Sequence, residues 1–383
     1  VDWTYERLIG NFISSNYLGD LMNKMIAAAI GLSVAGPAMA QSGVTLYGVL
    51  NTGISYISNQ GGSSNVRMDS GTLMMSRFGL KGSEDLGGGT KAIFELEQGF
   101  SGTTGAVAGC LSSSCAFSRN AYVGLDSQRY GAATAGLQTT TYADILGSYM
   151  GADLLESTYW SVHPGDYDQV FRAGLGNSIK YQSSSFAGLK LSGTYNFGGV
   201  PGSIVASSQW SVGLNYTAGA LSAGASYLRN HGAFEPTGIF LSSTSNPIGP
   251  KGTAGESESF GAGLGYQFST STLHLLATQT DFTTAGAIAR TYEIGYSNKI
   301  SSSLTLNLDY QYTDVLHRAG IHLPVAMLDY FLSKRTDLYG VVAYEQARGK
   351  SYTGAPIAAS IFTVGDSSTG RQLAVGVGIR HFF

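Results

Sequence analysis

From residue 41 to residue 383 the chain repeats one pattern: segments of about ten residues in which apolar and polar side chains alternate, separated by clusters of Gly, Ser, Asn and Asp. Within 304–313, Leu304, Leu306, Leu308, Tyr310 and Tyr312 fall on one face and Thr305, Asn307, Asp309, Gln311 and Thr313 on the other. Within 187–197, Leu189, Leu191, Tyr195 and Phe197 oppose Lys190, Ser192, Thr194 and Asn196. A period of two places successive side chains on opposite faces of an extended strand, so the pattern predicts strands along the whole stretch. No apolar run reaches the ~18 residues that a membrane-spanning helix requires. Alternation alone does not decide which face is inside, because a soluble sandwich alternates too. Charged residues make up only 12% of the chain, about half the share usual in a soluble domain. Aromatics reach 11%, with 23 Tyr. A surface so poor in charge faces something other than bulk water. In lipid, strands must leave no open edge, so the expected fold is all-β: a closed antiparallel transmembrane β-barrel, apolar toward lipid, polar toward a water-filled lumen, with Tyr girdles at the interfaces.

The N-terminal region agrees with export. Residues 22–40 read MNKMIAAAIGLSVAGPAMA, with Lys24 as a positive start, a short apolar core, a break at Pro37 and an Ala38-Met39-Ala40 cleavage site. They are expected to be a signal peptide. Residues 1–21 precede a candidate initiator, Met22, and are expected to be a mis-assigned or non-native extension, leaving 41–383 as the barrel. That segment carries 20 basic and 22 acidic side chains, a net charge of −2 without a basic patch, which argues against a nucleic-acid partner. Cys110 and Cys115 are the only cysteines. In an exported chain they suit a disulfide closing a small loop, with two free thiols as the alternative.

Sixteen strands are expected, near 43–57, 72–84, 90–100, 117–127, 131–137, 171–183, 187–197, 208–217, 219–229, 257–267, 271–281, 288–299, 303–313, 323–333, 336–347 and 370–383. The connections alternate in length, with short turns such as 84–89 and 333–335 and long loops at 101–116, 138–170, 230–256 and 348–369, as a barrel with short periplasmic turns and long external loops requires.

No catalytic motif emerges. Gly349-Lys350-Ser351 lacks the glycine a phosphate loop needs at position 344, which is Tyr, and neither H-E-x-x-H nor G-x-S-x-G occurs. A zinc site needs four ligands, and no second Cys pair or closely spaced His pair completes one, so neither metal nor cofactor is expected. His163, His231, His317 and His322 fall in expected loops, where a solvated imidazole is the default.

Several stretches together resemble the Gram-negative general porins, in particular the β-proteobacterial branch of Burkholderia and Neisseria type. They are 44–50 (VTLYGVL), 76–87 (SRFGLKGSEDLG), 91–97 (KAIFELE), 119–125 (RNAYVGL), 163–166 (HPGD), 178–181 (SIKY), 186–189 (FAGL), 333–339 (SKRTDLY) and 377–383 (VGIRHFF). The resemblance spans the chain from 41 onward. It implies a trimeric sixteen-stranded barrel in the bacterial outer membrane, surrounded by lipid and lipopolysaccharide. Such a barrel passes ions and small hydrophilic solutes passively, without catalysis. It also implies a third external loop folded inward to form a constriction, for which 138–170 is the candidate.

In this family loop carboxylates face basic residues on the opposite wall. The resemblance assigns Arg77, Arg119 and Arg172 to the basic wall. Lys81 shares the alternation parity of Arg77, and Lys180 that of Arg172. Asp144, Asp153, Glu156 and Asp166 are the candidate loop acids, each with a bland alternative. Asp153 and Glu156 read equally well as solvated loop acids, and Asp166 as a turn residue after His163-Pro164-Gly165. Leu137 stands where relatives carry arginine, so an anion preference does not carry over directly. Val377, Ile379 and Phe383 resemble the C-terminal signal read by the outer-membrane assembly machinery. An outer-membrane hydrolase barrel and an adhesin or receptor barrel are the alternative readings.

Overall fold

Eighteen strands hydrogen-bond side by side into one sheet that closes on itself when the first meets the last. The computed structural model describes residues 43–109, 115–154, 158–171, 175–232, 248 and 255–383, with the side chains of 153 and 154 excepted. The signal-peptide and extension assignments fall outside the described residues. The strands are β1 (Gly43–Gln60), β2 (Ser63–Ser70), β3 (Arg77–Gly87), β4 (Thr90–Phe100), β5 (Val107–Ala108), β6 (Asn120–Ser127), β7 (Gly131–Gln138), β8 (Leu175–Gln182) and β9 (Leu189–Asn196). They continue as β10 (Gln209–Ala218), β11 (Leu221–His231), β12 (Glu256–Gln267), β13 (Ser271–Phe282), β14 (Ala287–Lys299), β15 (Leu304–Val315), β16 (Ala319–Phe331), β17 (Thr336–Gly349) and β18 (Arg371–Phe382).

The wall has sixteen staves. On one side β1 pairs with β18, from Val49 opposite Phe382 to Ile57 opposite Ala374. On its other side it pairs first with β3 and then with β2, which are two halves of one stave. The two-residue β5 only extends the pairing of β4. All pairings are antiparallel, so the backbone groups of each stave are satisfied by its neighbours and no edge faces lipid. No described helix is long and apolar enough to cross a membrane.

The second stave departs from the expected strand at 72–84. Regular pairing starts only at Arg77, and the upper half, β2, lies outside the expected strands. Its sequence, SSNVRMDS, offers only Val66 and Met68 to the outer face, too little alternation to signal a strand. Between the halves the chain detours: Gly71, at φ +84°, starts the turn, Leu73 is fully buried, and the Ser76 hydroxyl accepts the Asn51 N–H at 3.0 Å.

The alternation separates the faces as expected. On β15, Leu308 and Tyr310 are exposed on the outer wall while Asn307, Asp309, Gln311 and Thr313 are buried on the inner one. On β18, Val375, Val377 and Ile379 face outward and Gln372, Ala374 and Arg380 inward.

The inner wall is covered by the segment after β7. Thr140 caps helix α1 (Thr141–Gly147) by accepting the Ala143 N–H at 3.1 Å. A short helix α2 (Gly151–Leu154) and two single 3-10 turns, Tyr159–Ser161 and Pro164–Asp166, follow. Helix α1 packs on β9 to β12, and its apolar side chains, with Tyr149 just after it, rest on glycines of the wall. A Cβ at Gly263 would stand 2.3 Å from Tyr149 Cγ, one at Gly213 2.6 Å from Ile145 Cδ1, and one at Gly261 2.6 Å from Leu146 Cδ1. Missing side chains on the lumen face therefore make the groove that seats the loop. Burying side chains such as Ile145 and Leu146 contributes about 1.5–3 kcal/mol each relative to leaving them in lumen water.

Candidate pore constriction

The inward faces of β1, β3, β4 and β6 bring cations and carboxylates together. In the β3–β4 register Lys81 lies opposite Glu95 and Gly79 opposite Glu97, with Arg77 one pleat further. Gly79 has no side chain, and the Tyr47 ring occupies the space its Cβ would fill, 2.6 Å from Tyr47 Cζ. From there the Tyr47 hydroxyl reaches Glu95 at 2.9 Å and Glu97 at 3.0 Å, and its ring lies 4.9 Å from the Lys81 ammonium. Asn120 and Tyr122 on β6 donate to Glu95 at 2.7 and 2.8 Å.

Glu97 is the centre of this patch. Arg77 Nε stands 3.2 Å from one of its oxygens and Arg119 Nε 2.5 Å from the other. Arg119 lies just before β6, where its own N–H donates to the Glu97 carbonyl at 3.2 Å, so strand parity does not govern its side chain. Two guanidinium groups thus share one carboxylate. Both arginines keep part of their surface open to the lumen while the Glu97 side chain is nearly covered.

Two staves along from β6, Lys180 on β8 meets the loop. Its ammonium lies 2.6 Å from Asp144 in the first turn of α1, and the Thr139 hydroxyl donates to the other Asp144 oxygen at 2.5 Å. A carboxylate there also faces the positive end of the helix. Asp166 is placed differently: fully buried, at φ 44°, it accepts the Phe171 N–H at 3.0 Å and shapes the turn. Burial, reinforced by the charge of Asp168, raises the Asp166 pKa well above the ordinary aspartate range. The Asp153 side chain, Glu156, Arg172 and Cys110 lie outside the described residues; Cys115 belongs to a disulfide.

Sequence reasoning missed a second cluster, which bolts the loop to the opposite wall. His163, expected in solvent, is wholly buried, with Nδ1 2.6 Å from Asp168 and Nε2 2.6 Å from Glu293 of β14. Burial disfavours the imidazolium, but Asp168 and Glu293 outweigh it and hold His163 protonated well above its usual range. Burial likewise works against ionised Asp168, and His163 and the Thr278 hydroxyl overcome it, holding that carboxyl below its usual value. Ser161 donates to Asp309 on β15, and Gln311 donates to Asp309 at 2.8 Å. Lumen parity on β14 and β15 was the available signal; no spacing rule could pair these residues with a loop 130 or more positions away. Near the short-turn end, Arg380 is buried between Asp329 at 3.1 Å and Asp337 at 3.0 Å.

A closed barrel with a polar lumen and an inward loop is the architecture of a channel, and comparison with known proteins agrees. The model of the Gram-negative porin family matches residues 26–350. The chain belongs to the Gram-negative porin family. This porin is 29% identical to outer membrane porin protein 32 of Delftia acidovorans, over 94% of its own length and all of that protein. It is 32% identical to an outer membrane porin protein of Bordetella pertussis, over 45% of its own length and 47% of that relative. Among solved structures, the anion-selective porin from Comamonas acidovorans superposes with a TM-score of 0.71 at 24% identity, covering 90% of this porin and all of that chain. The protein is an outer-membrane diffusion porin with a closed sixteen-stranded barrel, and the family and its relatives point to a channel rather than an enzyme.

Proposed function

We propose that ions and small hydrophilic solutes are filtered along the stretch of wall that carries the Arg77–Glu97–Arg119 cluster with Lys81 and, beside it, the Asp144–Lys180 pair at the loop. The observation that carries this reading is the sharing of Glu97 by two lumen-facing arginines. Charged side chains lining a constriction tune ion preference. Glu95 and Glu97 offset two of the three positive charges on Arg77, Arg119 and Lys81, so the patch keeps a small net positive charge. The porin therefore favours anions weakly, and Glu97 sets how weakly. Passage needs no covalent step, and no catalytic role is assigned to any residue.

The ends and the outer wall of the chain serve delivery and assembly in the same proposal. Residues 22–40 direct export and are removed. The outward Val377 and Ile379, with the terminal Phe383, serve the outer-membrane assembly machinery. The apolar outer wall contacts lipid and lipopolysaccharide and supports a homotrimer; a neighbour in fold, OmpT of Vibrio cholerae, is described in a trimer form.

Single-channel conductance of the refolded 41–383 chain in planar bilayers, with reversal potentials under a salt gradient, tests this reading. Stable steps closing in thirds and a small anion preference are expected. A folded, heat-modifiable barrel that conducts nothing would favour the hydrolase or receptor alternatives.

A further inference from the structure

Three neighbouring staves place one row of positions side by side on the inner wall: His274 on β13 is opposite Gly295 on β14, and Gly295 is opposite Asp309 on β15. Glu293 stands one pleat from Gly295 on the same face. The gap in the middle is essential. A Cβ on Gly295 would fall 1.7 Å from His274 Cε1, so the imidazole lies across the bare backbone and reaches the two acids. His274 Nε2 is 3.4 Å from Glu293 Oε1 and 3.8 Å from Asp309 Oδ1, and the three atoms all lie within 4.8 Å of one another. All three side chains are buried.

We propose that His274, Glu293 and Asp309 bind a divalent first-row transition ion, Zn²⁺ in chemical class, at the seam between the loop and the barrel wall. The separations fit: ligands about 2.1 Å from a tetrahedral ion stand about 3.4 Å apart, so small side-chain adjustments close the set. One imidazole nitrogen and two carboxylate oxygens leave a fourth position for water. The charges fit as well. Asp168, Glu293 and Asp309 outnumber the His163 imidazolium by two charges, and a divalent ion with a neutral His274 leaves the buried cluster neutral.

Asp309 Oδ1 adds an independent sign. It is buried and has no hydrogen-bond partner, although its sister oxygen is held by Ser161 and Gln311. A buried carboxylate oxygen left unpaired costs free energy, which a metal bond would offset. The neighbours also orient the set, as outer-shell bonds do at metal sites. His163 holds Glu293 Oε2 at 2.6 Å, and the Gly151 N–H donates to Glu293 Oε1 at 2.5 Å, which turns Oε1 toward His274. Because His163 and Gly151 belong to the inward loop, an ion there would fasten the loop to the wall. The site is distinct from the proposed filtering residues, so its failure would leave the conduction reading intact.

The test uses the refolded, untagged, metal-free porin titrated with Co²⁺, whose visible absorption reports coordination geometry, followed by Zn²⁺ competition. One Co²⁺ per chain with a tetrahedral-type band, displaced by Zn²⁺, is expected. His274→Gln and Asp309→Asn should each weaken binding at least tenfold while retaining heat-modifiable migration. Folded wild type without a visible band, or variants that bind as well as wild type, would overturn the proposal. If a variant fails to fold, X-ray absorption of the Zn²⁺-loaded wild type decides. One imidazole among oxygen ligands supports the site, whereas a shell without imidazole or with several rejects it.

Discussion

The Lys180 ammonium lies 2.6 Å from the Asp144 carboxylate, joining stave β8 to the first turn of the loop helix. The pair is accessible to lumen water, with 36% of the Asp144 side chain exposed, so its worth to stability is about 0–1 kcal/mol. In the proposed filter the pair counts for more, because Asp144 would offset the charge of Lys180. Asp144→Asn should leave the heat-modification temperature within a few degrees of wild type and shift the reversal potential toward anions. An unchanged reversal potential would take Asp144 out of the conduction path.

Glu97 makes a sharper prediction, since one substitution releases two cations. Glu97→Gln should increase anion preference more than Asp144→Asn, while Arg77→Gln should move selectivity toward cations. Arg77 and Arg119 touch the same carboxylate, so their effects should not add: coupled neighbours deviate from additivity by about 0.5–3 kcal/mol in stability measurements. Thermal melts and reversal potentials of the Arg77→Gln and Arg119→Gln single and double variants measure the coupling. Full additivity in both would mean that Glu97 does not link them.

How far the sequence could be read depends on the range of the interaction. Period-two alternation is local, so the staves around Leu304 and Leu189, the outward run Val375, Val377 and Ile379, and the inward Arg77 and Lys81 were legible. The half-stave β2 was not, because it has only two apolar residues, Val66 and Met68, interleaved with Arg67 and Asp69, which pair with each other at 2.6 Å. Partners were less legible than faces. Nothing local to Glu97 announces that Arg119 will reach it from outside a strand. Nothing near His163 announces a contact with Glu293. Register and the inward course of the loop decide both, and neither has a local sequence signature.

The glycine wall under α1 predicts a packing defect. Gly263→Ala puts a methyl group 2.3 Å from Tyr149 Cγ, and the barrel backbone cannot retreat, so the loop just after α1 must lift. Overpacking of this kind costs about 1–3 kcal/mol. Lower heat-modification temperature and noisier open-channel current are expected, both relieved by Tyr149→Leu in the same chain. A quiet, equally stable Gly263→Ala channel would mean that the loop does not depend on this seat.

Asp166 and Asp144 lie on one loop yet should behave oppositely. Asp166 is buried in its turn, facing Asp168 and His163, and its carboxyl is held protonated well above the ordinary 3.8 by burial and by the Asp168 charge. A group whose folded pKa is raised binds more protons folded than unfolded, so its stabilisation is full below the ordinary value and is lost as pH rises toward the folded one. Asp166→Asn keeps an acceptor for the Phe171 N–H but cannot titrate. Heat-modification temperatures measured from pH 4 upward should therefore fall less steeply in the variant than in wild type, with the curves differing most at neutral pH. The reversal potential should not move, because a neutral buried carboxyl contributes no charge to the lumen. A cation-to-anion shift in Asp166→Asn would instead place an ionised Asp166 at the pore.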